Sequence, residues 1–141
     1  MKIQSLVWLA PLFISQIISR AFPMDKEWYQ EIAKNLETPP PVVFAIVWPI
    51  LYILIGLTLY KTDDRGAQKI LTVNLFLNYL WLIFFNHFQD IQLGLIVLVL
   101  MVLTLFFYFK TEWTTTSLML VPYFIWLLYA TYLNYQIYQE N

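Results

Sequence analysis

Five apolar runs, at residues 3–22, 41–60, 70–88, 91–109 and 118–138, dominate the chain, and none carries an Asp, Glu, Lys or Arg deep within it. Each is about as long as a helix needs to cross the hydrocarbon core of a bilayer. Of the 141 residues, 60% are hydrophobic and only 12% are charged, outside the range of soluble domains. This predicts an all-α integral membrane protein, a five-transmembrane-helix bundle forming one domain over residues 1–141. Lys2 ahead of the first run is a feature shared with secretory signals. The run is too long for their apolar core and no A-x-A-like site follows, so it is read as a retained span.

The same composition removes whole classes of function. A net charge of −1 gives no electrostatic case for nucleic acid. With no cysteine there is no disulfide, thiolate nucleophile or sulfur-ligated metal. The one histidine, His87, leaves no His-rich cluster; near a helix end it fits either a haem-iron ligand or an interface residue. No metal site and no resident cofactor are expected. Ion-coupled transport generally needs charged groups at depth. Hydrolytic or ordinary acid–base chemistry needs a Ser-His-acid or paired-carboxylate constellation, and none can be assembled within these runs.

The stretch Pro39 to Tyr52, PPPVVFAIVWPILY, organises the rest. Its three leading prolines fix φ and remove donors, so a helix starts there rather than passing through. Phe44, Trp48 and Tyr52 recur every four residues and stack on one helix face. Such a ladder fits either a pocket wall for a flat apolar ligand or packing between helices in lipid. Pro49 deprives the Ala45 carbonyl of its donor and should kink the helix.

In the first run Ser15 and Ser19 form a small-xxx-small pair, Gln16 and Arg20 share another face, and Arg20 reaches the interface. Loop 23–40 holds Asp25, Glu27, Glu31 and Glu37 and the pair Trp28-Tyr29, with a short helix expected over residues 27–36. It fits either a flap folded over the bundle mouth or an interfacial loop. Residues 61–69 read as a polar loop. Asn74, Asn78, Trp81 and Phe85 share a stripe; amides in lipid need partners, either another helix or a ligand. Gln89-Asp90 forces a tight hairpin with Asp90 as an N-cap. The fourth run is aliphatic all round, a lipid-facing scaffold. The fifth carries Tyr123, Trp126, Ala130 and Asn134 on one stripe, with Pro122 suited to a first turn. Lys and Arg number five on the amino-terminal side and three on the other, placing the amino terminus in the cytoplasm.

Four motifs in this order carry a resemblance. They are Phe22-Pro23-x-Asp25-x-x-Trp28-Tyr29 before a proline cluster, Phe44-x-x-x-Trp48-x-x-x-Tyr52, Asn78-x-x-Trp81-x-x-Phe84-Phe85, and Pro122-Tyr123-x-x-Trp126-x-x-x-Ala130-x-x-x-Asn134. The chain resembles the tryptophan-rich sensory protein / translocator protein family, also called peripheral benzodiazepine receptors. The resemblance implies a five-helix bundle, often a homodimer, that binds porphyrins, haem and synthetic aromatic ligands between its helices beneath the first loop. It implies Trp48, Asn78, Trp81, Trp126 and Ala130 as pocket residues. It also implies Trp48 and Trp126 as the catalytic pair where bacterial members degrade protoporphyrin in light. With the residue reading, the candidate ligand-binding set is Trp28, Tyr29, Pro41, Phe44, Trp48, Tyr52, Asn78, Trp81, Phe85, Tyr123, Trp126, Ala130 and Asn134.

The chain departs from the family pattern at three places. Asn74 stands where a glutamine is usual, Pro49 where proline is not, and no Lys or Arg follows Lys110 to complete a sterol-associated pattern on the fifth span. Three functions remain open: a receptor for tetrapyrroles, an enzyme that photo-oxidises them, and a scaffold whose aromatics only pack helices. For the first, the propionates should point to the mouth near Arg20, Lys26 or Lys34.

Overall fold

Each α-helix in the described chain begins at an aspartate or a proline. Asp25, Asp64 and Asp90 accept hydrogen bonds from the backbone N–H of Trp28 (3.1 Å), Ala67 (3.0 Å) and Leu93 (2.9 Å). Their charge also suits the positive end of the helix dipole. Pro11, Pro41 and Pro122 occupy the first turns of the other three helices, where no N–H is required.

The computed structural model describes residues 3–141, with side chains from Leu6 onward; Lys2, counted in the charge balance, lies outside the described residues. A 3-10 segment, Ile3–Leu9, leads into α1 (Ala10–Ala21) and then α2 (Lys26–Ile32). There follow α3 (Pro41–Lys61), α4 (Arg65–Trp81) with a π-helical continuation Leu82–His87, and α5 (Ile91–Thr111). A 3-10 turn, Ser117–Leu120, opens α6 (Val121–Glu140). No strand occurs among the described residues. Pro41–Lys61, Arg65–His87, Ile91–Thr111 and Ser117–Glu140 are each long and apolar enough to cross a membrane. A fifth crossing follows if Leu6–Ala21 is taken with α2, which bends from it by 88°. The fold is an all-α membrane bundle.

Helix α4 begins at Arg65, so most of the expected polar loop 61–69 is helical. The Asp64 cap starts it, and Gln68 Nε2 donates to the Thr62 carbonyl at 2.5 Å, closing the turn. The short helix in the first connection spans Lys26–Ile32 rather than 27–36, because Asp25 caps it and Leu36 turns back onto the Ala33 carbonyl. α3 runs through Pro49 as one helix. Between α4 and α5 the reversal uses Gln89 at φ 54°, in the left-handed region.

α5 packs along α4 and α6, the amino-terminal segment lies against α3, and α3 touches α6 only sparingly. Val97, Leu98, Met101, Leu105 and Tyr108 of α5 are buried, so one face of that helix belongs to the core and only the other faces outward. The amino-terminal segment comes so near α3 that a Cβ at Gly56 would overlap the carbonyl oxygen of Trp8. Tyr79 Oη fixes the same segment to α4 by donating to the Pro11 carbonyl at 2.8 Å.

Candidate functional site

The one-face spacing of Phe44, Trp48 and Tyr52 puts all three on the wall of a cavity of about 450 Å³, within the range of small-molecule sites. Pro41, Ala45 and Pro49 complete the α3 wall. α6 supplies Trp126, Ala130, Leu133 and Asn134; α4 and its π-turn supply Trp81, Leu82, Phe85 and Asn86. Ser15, Gln16 and Ser19 of α1 close a third side, and Pro23, Met24, Lys26 and Tyr29 roof it. Among the described residues α5 contributes nothing to the lining. The roof is tied down at its far end: Asn141 Nδ2 donates to the carbonyls of Ile32 (2.8 Å) and Ile137 (2.9 Å).

Trp48 is the hub of the aromatic lining. Its ring centroid lies 5.7 Å from Tyr52, 6.0 Å from Trp81 and 6.3 Å from Trp126, the last nearly perpendicular at 88°. Phe44 stands edge-on to both Tyr29 and Trp126, at 6.1 Å and 5.6 Å. Trp81 and Phe85 stack at 5.2 Å with 14° between their planes. These separations fall in the range where aromatic pairs attract beyond simple burial.

Beneath the rings lies a polar chain that crosses four helices. Tyr52 Oη on α3 donates to Asn78 Oδ1 on α4 at 2.5 Å, and Asn78 Nδ2 donates to Tyr123 Oη on α6 at 3.1 Å. Tyr123 Oη donates to Asn74 Oδ1 at 2.6 Å. Asn74 Nδ2 reaches α5, bonding the Met101 carbonyl at 2.7 Å and Thr104 Oγ1 at 2.9 Å. Both asparagines are fully buried and paired between helices. The chain forms a rigid floor, and only its Tyr52 end reaches the lining.

Of the residues expected from sequence, Tyr29, Pro41, Phe44, Trp48, Tyr52, Trp81, Phe85, Trp126, Ala130 and Asn134 line this one cavity. Asn78 and Tyr123 lie in the floor behind it. Trp28 sits outside the lining, edge-on to Phe85 at 5.2 Å. Lys26 is the one charged residue lining the cavity among the described residues; Arg20 is not in the wall, and Lys34 is paired with Glu31 at 2.9 Å. His87 is exposed and packs edge-on against Phe22 at 5.0 Å. Sequence reasoning missed Ser15, Gln16, Ser19 and Asn86 as lining. Their polarity in apolar runs was the available signal, but it fits helix contact equally well.

Among the described residues, four buried side-chain polar atoms have no hydrogen-bond partner: Tyr29 Oη, Trp81 Nε1, Trp126 Nε1 and Asn134 Oδ1. All four belong to lining residues. Tyr29 Oη sits beside Thr38 but outside good bonding geometry with it, and Trp81 Nε1 lies toward Gly94. Each such atom costs about 1–3 kcal/mol while unpaired. The lining thus combines aromatic faces, neutral donors, one free acceptor and a cation at the roof. It holds no carboxylate or imidazole among the described residues.

Comparison with known proteins finds a matching family and several relatives. The model of the TspO/MBR family matches residues 6–139. A tryptophan-rich protein TspO of Bacillus cereus is 30% identical over 138 residues, covering 92% of this chain and 88% of its own. One of the same name from Archaeoglobus fulgidus is 33% identical over 124 residues, covering 81% and 80%. A tryptophan-rich sensory protein of Cereibacter sphaeroides is 30% identical over 123 residues, covering 82% and 77%.

Proposed function

The chain belongs to the TspO/MBR family, and on that premise we propose that it is a membrane sensor or translocator whose cavity takes a tetrapyrrole such as protoporphyrin IX or haem, or another flat apolar molecule. The observation that carries this reading is an aromatic-lined hollow with a single cation, Lys26, at its roof among the described residues. A conjugated macrocycle stacks on the indole and phenol rings, and its peripheral carboxylates meet the one cation that lines the hollow among the described residues. Carboxylates are costly in hydrocarbon, so they lie at the roof beside Lys26, with the macrocycle against Trp48 and Trp126. Loop 23–40 then faces the cell exterior and the amino terminus the cytoplasm, in line with the excess of Lys and Arg on the latter side.

Titration of the purified protein with protoporphyrin, followed by tryptophan fluorescence, tests the reading. Saturable quenching that weakens in Trp126→Phe supports it. Quenching that rises linearly and is the same in both proteins defeats it and leaves the aromatics as helix packing alone.

The edge-to-face approach of Trp48 and Trp126 favours a second reading. A bound porphyrin, excited by light and oxidised by dioxygen, would have two indoles within reach as electron relays.

A further inference from the structure

The Trp126 ring is part of two hollows. It lines the inner cavity, and it also lines an outward-facing apolar groove between α3 and α6. No other described residue lines both. On its outer side the groove is walled by Val47 and Ile50 of α3 and by Ile125 and Tyr129 of α6. Ile50 is 52% exposed and Ile125 61% exposed, in a stretch of the bundle whose surroundings are acyl chains. Trp126 therefore stands between the cavity and the outer groove at this level.

That side chain is held loosely. Its indole N–H is buried and has no hydrogen-bond partner, so turning the ring breaks no hydrogen bond. It rests on Phe44, Trp48 and Tyr129 by ring contacts at 5.6, 6.3 and 5.6 Å. The helices on either side meet only sparingly, unlike α5 and α6, which pack along their lengths. One turn further along α6 is Ala130, whose small side chain leaves room on the cavity side.

We propose that the α3–α6 groove is a lateral portal through which apolar ligands pass between the bilayer and the cavity, with Trp126 as its gate. This rests on the reading of the cavity as a ligand site. The chemistry favours the route: a flat hydrophobic molecule partitions strongly into the hydrocarbon and is scarce in water. The roof, by contrast, presents the charged Lys26, and the α1 wall beside it the polar Gln16 and Ser19.

A gate alters the rates of binding and release together and leaves the equilibrium unchanged. The chain has no cysteine, so one can be placed alone. Ile125→Cys, folded into lipid nanodiscs and then labelled with a bulky maleimide, fills the groove from outside without touching the cavity wall. Phe106→Cys on the exposed face of α5, labelled likewise, is the control. Porphyrin supplied in the lipid should bind and dissociate about tenfold more slowly in the labelled Ile125→Cys protein, with affinity within about twofold of the control. Unchanged rates at that position overturn the portal while leaving the cavity intact, and slowing seen only when Glu27→Cys, exposed on α2 and outside the lining, is labelled assigns the route to the roof side. Absence of saturable binding in the unlabelled parent overturns the cavity reading and the portal together.

Discussion

The phenol of Tyr52 and the carboxamide of Asn78 join α3 to α4 through a 2.5 Å hydrogen bond, the point where the aromatic lining meets the polar floor. Removing the phenol oxygen leaves Asn78 Oδ1 buried without a donor, since its amide nitrogen is already committed to Tyr123. Tyr52→Phe should therefore destabilise the bundle by about 1–2 kcal/mol. The ring that lines the cavity is kept, so porphyrin affinity should change little. Thermal unfolding in detergent, followed by circular dichroism, gives the first number and fluorescence quenching the second.

Gly56→Ala sets two effects against each other. Alanine favours a helix over glycine by about 1 kcal/mol. Here the added methyl meets a backbone carbonyl, that of Trp8, which cannot swing aside as a side chain can. Overpacking of this kind costs about 1–3 kcal/mol, so the variant should unfold at lower temperature than the parent. Gly94→Ala is the contrast: its methyl would sit 3.1 Å from Cδ2 of the Phe85 ring, which can shift. It should cost less.

Charge at the roof should distinguish ligands by their carboxylates. Lys26→Gln should weaken protoporphyrin binding severalfold, with little effect on a neutral porphyrin ester. Lys34→Gln should do much less, because Lys34 is exposed and engaged with Glu31. The Lys26 effect should shrink as salt is raised, since the group is solvent-exposed. Equal losses for acid and ester would remove Lys26 from the carboxylate contact.

The indole pair bears on the photochemical reading. In Trp48→Phe, Trp126→Phe the rings remain but the readily oxidised indoles are gone. Under illumination in air, the visible bands of bound porphyrin should bleach more slowly than in the parent. Bleaching at the parental rate would leave the two tryptophans as wall material.

Orientation can be read with an impermeant maleimide on intact cells, again using the absence of native cysteine. Lys34→Cys should label from outside and Asp63→Cys only after lysis. The reverse pattern would invert the topology.

Much of the wall was readable from spacing. Phe44, Trp48 and Tyr52 at steps of four must share a helix face whatever surrounds it, and they do. The need of Asn74 and Asn78 for partners was equally readable, because a bare amide in lipid is too costly. Which partners they would find was not: Tyr123, Thr104 and the Met101 carbonyl lie on helices whose rotation is set by packing. The polar loop read over residues 61–69 hides a helix start, because Asp64 caps α4 and an aspartate before a polar stretch suits a turn or a cap equally. Pro49 lies inside α3, and both it and Ala45, whose carbonyl it leaves without a donor, line the hollow.

The π-turn at Leu82–His87 has a consequence for length. There the Phe88 N–H reaches back to Ile83 at 3.2 Å, a five-residue step where an α-helix takes four. The widened loop absorbs one residue, about 100° of helical phase. Were this turn to wind as an ordinary α-helix at unchanged length, the end of this helix would rotate by that angle. Asn86, which now borders the hollow, would turn away. The winding of this one turn thus keys the hollow's rim independently of the aromatics on the other three walls.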